Sequence, residues 1–279
     1  MLKYKILSWL FYFKAATCNC HTEINKWGFQ KGKPHYTIGK IGKMPKVVNE
    51  SSGLAYDNNN LWTLNDSGGK NVIYKIDKKG TLQDSIVIQN AINQDWEELA
   101  IDKNQNVFVG DFGNNNNTRR NLTIYKTSLL GKSNVEKINF HYGDQSSFPP
   151  VESQKNYDCE AMFAFNDSLY LFSKNRGDKN VKLYALPQQA GDFVLFPTAS
   201  TFIKTQVTAA AINPSNTEFA LLTYGKIYFF AIKNKQINFN SPTFCLKTKR
   251  KQTEAITYLS DNEILFGNEQ GDIYEVKKR

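Results

Sequence analysis

The chain is poor in the residues on which several protein classes depend. It has four cysteines in 279 residues, too few and too dispersed for a disulfide framework or a cysteine-ligated zinc site. Cys159 and Cys245 are interpreted as small, buried apolar residues. The chain has three histidines and no Gly-x-Ser-x-Gly sequence, which excludes the usual arrangements for covalent catalysis. Any hydrolysis would therefore have to depend on a metal ion.

Long apolar runs are also absent. The longest, at residues 7–13, is far shorter than the roughly 20 residues of a membrane-spanning helix, so no transmembrane span is predicted. Proline and glycine are few, at 8 and 17, whereas 14 tyrosines and 19 phenylalanines are present. Because aromatic residues favour β-strands, we expect an all-β core.

Basic residues outnumber acidic ones. The chain has 35 lysine and arginine residues against 26 aspartate and glutamate residues, which gives a net charge of +9. A surplus of this sign would suit an anionic ligand. The one dense basic run, at 247–251, lies between two apolar segments, and no nucleic-acid-binding motif accompanies it. No nucleic-acid partner is therefore expected.

The first 20 residues are patterned like an export signal. A basic start is followed by a short apolar stretch and then by small residues that end at Cys18. This predicts an exported protein, periplasmic or associated with the outer membrane as a lipoprotein anchored through Cys18 or Cys20, with residues 21–34 as a linker. The alternative is an ordinary first strand, because Lys14 interrupts the apolar stretch.

A short apolar phrase recurs five times along the rest of the chain. The second residues of the phrases lie at positions 53, 98, 160, 209 and 254, so that the steps are 45, 62, 49 and 45 residues. These steps match the length of a β-propeller blade. The phrases are Ser52-Gly53-Leu54-Ala55-Tyr56, Glu97-Glu98-Leu99-Ala100-Ile101, Cys159-Glu160-Ala161-Met162-Phe163, Thr208-Ala209-Ala210-Ala211-Ile212 and Thr253-Glu254-Ala255-Ile256-Thr257.

Each phrase is followed, after a polar turn, by a second and a third β-rich run, and the third run always contains a tyrosine. The first four units also have a fourth candidate strand, whereas the fifth reaches Arg279 after three. The segment 35–41 belongs to no unit, and we expect it to pair with the last blade and close the ring. Residues 35–279 are thus predicted to form one five-bladed β-propeller with four-stranded blades. Six blades would require two blades within the 62-residue step.

Three of the five phrases carry a glutamate at their second residue, namely Glu98, Glu160 and Glu254. First strands line the central channel of a propeller, so these carboxylates would converge near the axis. Carboxylates that converge repel one another unless a cation neutralises them, and ligands that are all oxygen favour calcium. We therefore predict a calcium site there and no organic cofactor. In the alternative, these glutamates cap backbone amides or pair with lysine or arginine.

A second set of polar residues follows the second strands. The ends of these strands lie beside the starts of the antiparallel first strands, so both sets share one rim. The rim would bring basic and acidic groups together around the cation, a combination suited to phosphate or carboxylate ligands. The candidate ligand-binding residues are Asp66, Asp95, Asp111, Lys174, Arg120 and Glu269, and Arg119 and Arg176 add basic groups to the same mouth.

The motifs at this rim resemble a family of exported bacterial propellers, most of which are uncharacterised. They run in the order Asn-Asp-Ser-Gly at 65–68, Asp-Trp-Glu-Glu at 95–98, Gly-Asp-Phe-Gly-Asn-Asn at 110–115 and Tyr-Asp-Cys-Glu-Ala at 157–161. In blade count the pattern is also similar to calcium-activated nucleotidases, and in calcium use to phytase-like propellers. In those nucleotidases each strand that lines the channel carries one carboxylate, whereas the fourth phrase has Ala209 at that position.

Two functions follow as expectations. The first is an exported, monomeric binding or scaffold propeller with an axial calcium ion and a small-molecule or phosphorylated ligand. The alternative is a calcium-dependent hydrolase of phosphoesters, nucleotides or related esters. In that enzyme, Asp66 or Asp111 would orient water, and Lys174 or Arg120 would stabilise the developing negative charge.

Overall fold

A computed structural model describes residues 36–48, 50–130, 134–240, 242–248 and 251–278. The predicted export segment and linker, with Cys18 and Cys20, lie outside the described residues. Within them, five mainly antiparallel sheets follow one another along the chain, each with at least four strands. The predicted five-bladed β-propeller is therefore confirmed, and the 62-residue step holds one blade and a long connection rather than two blades.

In the first four blades the strands run outward from the axis in chain order, and in the fifth β1 supplies the outer strand. First strands are β2 (Ser51–Tyr56), β6 (Trp96–Ile101), β10 (Asp158–Phe165), β15 (Val207–Ile212) and β20 (Thr253–Ser260). Second strands are β3 (Leu61–Asn65), β7 (Asn106–Asp111), β11 (Ser168–Lys174), β16 (Glu218–Thr223) and β21 (Glu263–Asn268). Third strands are β4 (Val72–Ile76), β8 (Leu122–Ser128), β12 (Asn180–Pro187), β17 (Lys226–Lys233) and β22 (Asp272–Lys278). Outer strands are β5 (Leu82–Val87), β9 (Glu136–Tyr142), β14 (Ala199–Phe202), β19 (Phe244–Lys247) and β1 (Tyr36–Lys43).

Asp and Asn side chains form the turns between first and second strands. Asp57 accepts the backbone amides of Asn59 and Asn60 at 2.9 and 2.6 Å, and the Trp62 indole N–H at 2.9 Å. Asp102 accepts two amides of its own turn in the same way. Such side chains replace backbone partners in tight turns, and this fixes where each hairpin reverses.

The core lies between neighbouring blades. Phe163 of the third blade packs 5.4 Å from Phe219 of the fourth, which in turn stacks 4.9 Å from Phe230. Cys159 and Cys245 are both buried in the core, as predicted, Cys159 with a free thiol and Cys245 in a disulfide bond that the sequence did not predict. Among the described residues there is no helix long and apolar enough to cross a membrane.

Two short strands were not predicted. β13 (Gly191–Leu195) lies in the connection from β12 to β14 and pairs in parallel with β9, at the outer edge of the second blade. β18 (Gln236–Ile237) forms a small hairpin with the end of β17. The repeat pattern cannot predict parallel pairing between neighbouring blades, because this pairing depends on the path that a connection takes in space.

The ends of the described chain close the ring as predicted. β1 pairs antiparallel with β22, from Tyr36 opposite Lys278 to Lys43 opposite Asp272. The Tyr36 ring stacks 5.4 Å from Phe244 of the fourth blade. The closure therefore combines a strand ladder with aromatic packing against the next blade.

Asp272 is expected to stabilise this closure. Its carboxylate oxygens lie 2.5 Å from Lys40 Nζ on β1 and 2.5 Å from Lys251 Nζ. Burial alone would raise the pKa of Asp272, but its bonds to Lys251 and Lys40 hold that pKa well below its ordinary value. Asp272→Asn should lower the free energy of unfolding at pH 7 by only about 1 kcal/mol in urea titrations, since both lysines are partly exposed to solvent.

The pH dependence of this effect is the check. A carboxylate whose pKa is lowered on folding adds stability above its ordinary pKa near 4, and that stability is lost as the pH falls. The difference between wild type and Asp272→Asn should therefore shrink toward pH 3. Asp167→Asn, in an exposed turn, serves as the control and should change little. An equal loss in both variants would contradict this role for Asp272.

Candidate functional site

One rim of the channel collects most of the carboxylates that the sequence pointed to. First strands begin and second strands end there, with Asp158 opposite Lys174 and Trp96 opposite Asp111. We call this rim the acidic mouth. It comprises Asp66, Asp95, Glu97, Asp111, Asp158, Glu160, Glu254 and Glu269, together with Arg119, Lys174, Arg176 and Tyr224.

A β-bulge lies near the start of every first strand. One extra residue interrupts the pairing with the second strand in each blade, and bulges of this kind aim a side chain away from the ladder. The bulge makes Glu97, not Glu98, the counterpart of Glu160 and Glu254, so the predicted phase of Glu98 with them is wrong. The bulged residues are Ser52, Glu97, Glu160, Thr208 and Glu254.

Glu98 lies on the channel axis and is fully buried. Its carboxylate accepts the amides of Leu99 at 3.1 Å and Ala210 at 3.2 Å, and those of Leu54 and Met162 as well. These donors come from the unpaired inner edges of four blades. Gly53 permits this approach, because a Cβ there would lie 2.9 Å from Glu98 Oε1. The structure thus places Glu98 among backbone amides, apart from the other carboxylates.

Glu160 and Asp158 have cationic partners. Lys174 Nζ lies 2.6 Å from Glu160 Oε1, with both side chains about 95% buried, and Arg176 Nε lies 2.6 Å from Asp158 Oδ2. Burial alone would lower the pKa of Lys174, but the Glu160 carboxylate reverses this effect and holds that pKa well above its ordinary value. These pairs join β10 to β11 and the loop after it.

The two arginines of the long loop have different positions. Arg119 contacts Asp111 Oδ1 at 3.3 Å and the Gly113 carbonyl at 2.8 Å, so it belongs to the acidic mouth. Arg120, the candidate chosen from the sequence, is exposed and stacks over the Phe148 ring at 4.1 Å. The structure therefore places Arg119, rather than Arg120, beside the predicted site.

Three carboxyl groups of the acidic mouth meet without a cation among the described residues. Asp66, Asp95 and Glu97, which we call the carboxylate triad, each have an oxygen within 4.8 Å of the others. Glu97 is 5% exposed and accepts no hydrogen bond from any described residue. Gly113 leaves room for the triad, since a Cβ there would lie 2.3 Å from Glu97 Oε1 and 2.4 Å from Asp95 Cγ.

Electrostatics show how the triad is strained without a cation. Burial raises the pKa of Asp66 to about 6, and the charges of Glu254 and Asp95 add to the rise. Burial and the charge of Asp158 also raise the pKa of Asp95 to about 6. Burial and the charge of Glu160 raise the pKa of Glu97 well above its ordinary value. A cation would relieve this repulsion.

Glu254 and Glu269 form a second acidic group, which we call the carboxyl pair. Their side chains hydrogen-bond one another, and burial together with the Glu254 charge raises the pKa of Glu269 to about 8. Glu254 also accepts the Tyr224 hydroxyl at 2.8 Å, and Glu269 accepts the Gln252 amide at 2.8 Å. Glu269 therefore keeps its proton to a higher pH than an exposed glutamate does.

The opposite end of the channel holds a cavity of about 310 Å³. It is lined by the ends of first strands and by the turns after them, including Tyr56, Ile101 and Ile212. None of the predicted site residues lines it. Asp57 and Asp102 at its rim are occupied by their own turns.

The sequence predicted Arg119 and Arg176 at this mouth, but it assigned the metal to Glu98 rather than to Glu97. The repeat spacing alone does not decide which of the adjacent residues Glu97 and Glu98 matches Glu160, because a bulge adds one residue to the first strand. A usable signal is the large apolar residue two positions after the bulge, which is Leu99, Met162 or Ile256 in the three glutamate-bearing blades. Aligning the phrases on that residue selects Glu97.

Comparison with protein-family models and with curated proteins finds no match for this chain.

Proposed function

We propose that the protein is an exported ligand-binding β-propeller whose carboxylate triad holds a divalent cation, calcium before magnesium or manganese. One observation carries the proposal. Glu97 is almost wholly buried without a hydrogen bond or an ion pair from any described residue, and its oxygens lie beside those of Asp66 and Asp95. A buried carboxylate is costly unless it is paired or binds a metal.

The donor set favours calcium. All three groups offer carboxylate oxygens, and no histidine or cysteine belongs to the triad. Calcium accepts six to eight oxygens in flexible geometry, whereas magnesium requires a nearly regular octahedron. Loops supply Asp66 and Asp95, and such segments can adjust to the longer calcium–oxygen distances. Ligand oxygens or water would complete the shell.

This proposal moves the cation from the position that the sequence predicted. Of the three glutamates predicted to bind the metal, Glu98 accepts four amides, Glu160 pairs with Lys174 and Glu254 bonds to Tyr224. Each therefore has partners that compete with a metal. Asp66 and Asp95, predicted as ligand-binding residues, become cation ligands in the proposal, and Glu97 joins them.

The hydrolase alternative has less support from the geometry. Of the groups assigned to charge stabilisation, Lys174 is held by Glu160 and Arg120 lies against Phe148. Asp111, assigned to orient water, bonds to Arg119 and to the Asp95 amide. We therefore place binding first, and screening nucleoside diphosphates and phosphomonoesters for calcium-dependent turnover tests the alternative.

Export and family membership belong to the same proposal. The four motifs that resemble the exported bacterial propellers include or adjoin the residues of one rim, which is what a shared binding site would require. A periplasmic or lipoprotein location rests on the pattern of residues 1–20. Mass spectrometry of the protein expressed with this segment, checking for cleavage or for a lipid on Cys18 or Cys20, tests it.

Calcium should stabilise the wild-type protein through the triad. At a concentration 100 times the Kd, a ligand that binds only the folded state adds about 2.7 kcal/mol, which corresponds to a rise of several degrees in Tm. Glu97→Gln should abolish most of that rise, because it removes the buried charge that faces the cation. Differential scanning calorimetry with and without calcium measures both effects.

Lys182 and Asp144 provide a matched control on the same protein. Asp144 is a partly buried carboxylate that is already paired with Lys182 Nζ at 2.5 Å, and it lies outside the triad. Asp144→Asn should lower Tm and keep the full calcium shift. A calcium shift retained by Glu97→Gln, or none in the wild type, would overturn the proposed site.

A further inference from the structure

The charge balance of the acidic mouth limits the ligands that it can take. Its three basic side chains are each paired with a carboxylate, as Arg119–Asp111, Lys174–Glu160 and Arg176–Asp158. The triad and the carboxyl pair, five carboxyl groups in all, form no ion pair within 4 Å with a described side chain. A divalent cation in the triad offsets only part of this charge, so the mouth remains acidic.

The coordination of that cation is also incomplete. Calcium takes six to eight oxygens. Three carboxylates supply at most six, and only if all of them bind through both oxygens. The Glu97 side chain is buried, whereas Asp66 and Asp95 are partly exposed, so the open positions lie on the solvent side of the mouth.

The carboxyl pair offers acceptors beside this position. Glu254 and Glu269 each accept one hydrogen bond from a neighbouring side chain, which leaves further lone pairs free on both carboxyl groups. Glu254 lies at the start of β20 and Asp66 follows the end of β3, and β20 packs against β2 of the same blade as β3, so the pair and the triad face the same rim. A ligand in that space meets a cation on one side and hydrogen-bond acceptors on the other.

Few chemical groups satisfy both sides. Phosphate supplies lone pairs to a cation, but its own negative charge is repelled by the surplus carboxylates of the mouth. An ammonium group donates hydrogen bonds but has no lone pair for the cation. A hydroxyl group does both, because its oxygen can coordinate the cation while its proton goes to a carboxylate.

We propose that the acidic mouth binds neutral polyhydroxyl compounds through a vicinal diol, with the diol oxygens on the triad-held cation and their protons donated to the carboxyl pair. This inference rests on the proposed cation site and names the ligand class for it. It replaces the phosphorylated ligand that the lysines and arginines of the rim predicted, because Lys174, Arg176 and Arg119 are already engaged.

D-mannitol is a suitable first probe, because an open-chain polyol can rotate to present vicinal hydroxyls in many geometries. 1,6-Hexanediol is its control, since it has the same chain length and no vicinal pair. By saturation-transfer NMR on the full chain, mannitol should bind at least about ten-fold more tightly with calcium than with EDTA. It should also bind about ten-fold more tightly than hexanediol. Equal binding of the two compounds would overturn the inference.

Inorganic phosphate and putrescine test the two other ligand chemistries. Either of them binding the calcium-loaded protein more tightly than mannitol would overturn the inference. Glu269→Gln should weaken mannitol binding about five-fold while keeping the calcium shift in Tm. Glu263→Gln, at the other end of β21 and paired with Lys78, is the control and should leave mannitol binding unchanged.

The two proposals fail in different ways. Loss of the calcium shift in wild type would remove the cation site and, with it, the basis for diol binding. A normal calcium shift with no mannitol binding would overturn the diol inference alone and leave the cation site standing.

Discussion

Glu98→Ala is expected to cost more stability than any other single change at the channel axis. The substitution removes the acceptor of four buried amides, those of Leu99, Ala210, Leu54 and Met162, which belong to four different blades. Each buried amide left without a partner costs about 1–3 kcal/mol, although water entering the channel would satisfy some of them. We expect a loss of about 3–5 kcal/mol in urea unfolding at pH 7.

The neighbouring glutamate supplies the control for this result. Glu97 is equally buried, but it accepts no hydrogen bond from the described residues and is repelled by nearby carboxylates. In EDTA, Glu97→Gln should leave the free energy of unfolding unchanged or raise it, whereas Glu98→Gln should lower it by about 1–2 kcal/mol. If the two glutamines behaved alike, the assignment of Glu98 to the amides and Glu97 to the cation would be wrong.

The calcium-free protein should lose stability as the pH rises from about 4.5 to 8. Burial and the Glu254 charge raise the pKa of Glu269 from its ordinary 4.5 to about 8. Between these values the folded state keeps the proton and the unfolded state has released it, so unfolding becomes more favourable as the pH rises. The expected fall is on the order of 3 kcal/mol, measured by urea unfolding in EDTA across this range.

Glu269→Gln tests the origin of this slope. Glutamine cannot ionise, so the variant should show a clearly flatter profile than wild type between pH 4.5 and 8. Folding lowers the pKa of Asp272, whereas it raises that of Glu269. The contribution of Asp272 to stability changes only below about pH 4, so it does not affect the profile between pH 4.5 and 8. A stability that rose across this range, or an unchanged slope in Glu269→Gln, would contradict the pKa assigned to Glu269.

The fold could be predicted from the sequence because every blade needs the same pattern of apolar residues in its first strand. A first strand must bury both faces and meet the axis, and Leu54, Leu99 and Met162 mark it in three of the blades. The fifth unit has only three strands of its own, which predicted that β1 would supply the fourth and close the ring. β13 was not accessible, because its parallel pairing with β9 depends on the path of a connection rather than on a residue pattern.

The candidate site was only partly predictable, for a reason that lies in the backbone. The rim was found because antiparallel strands place Asp111 and Lys174 beside the starts of β6 and β10. The bulge at Glu97 shifts the register by one residue, and a shift of one residue exchanges the two faces of a strand. The repeat spacing alone does not reveal such a bulge, so it favours Glu98, whereas Glu97 belongs to the triad.

The sequence also could not predict which charged side chains pair with one another. Arg119 and Arg120 are adjacent and chemically identical, yet one contacts Asp111 and the other stacks on Phe148. The net charge of +9 suggested an anionic ligand, but each basic side chain of the acidic mouth is paired with a carboxylate of the same mouth. The local balance, rather than the total, determines what the mouth attracts.

Anomalous scattering from calcium-soaked crystals tests the central claim most directly. The cation proposed for the carboxylate triad should give one strong peak with oxygens of Asp66, Asp95 and Glu97 about 2.3–2.6 Å away. The peak should be absent from crystals of Glu97→Gln. A peak on the axis among Glu98, Glu160 and Glu254, or no peak at the acidic mouth, would contradict the cation site that we propose.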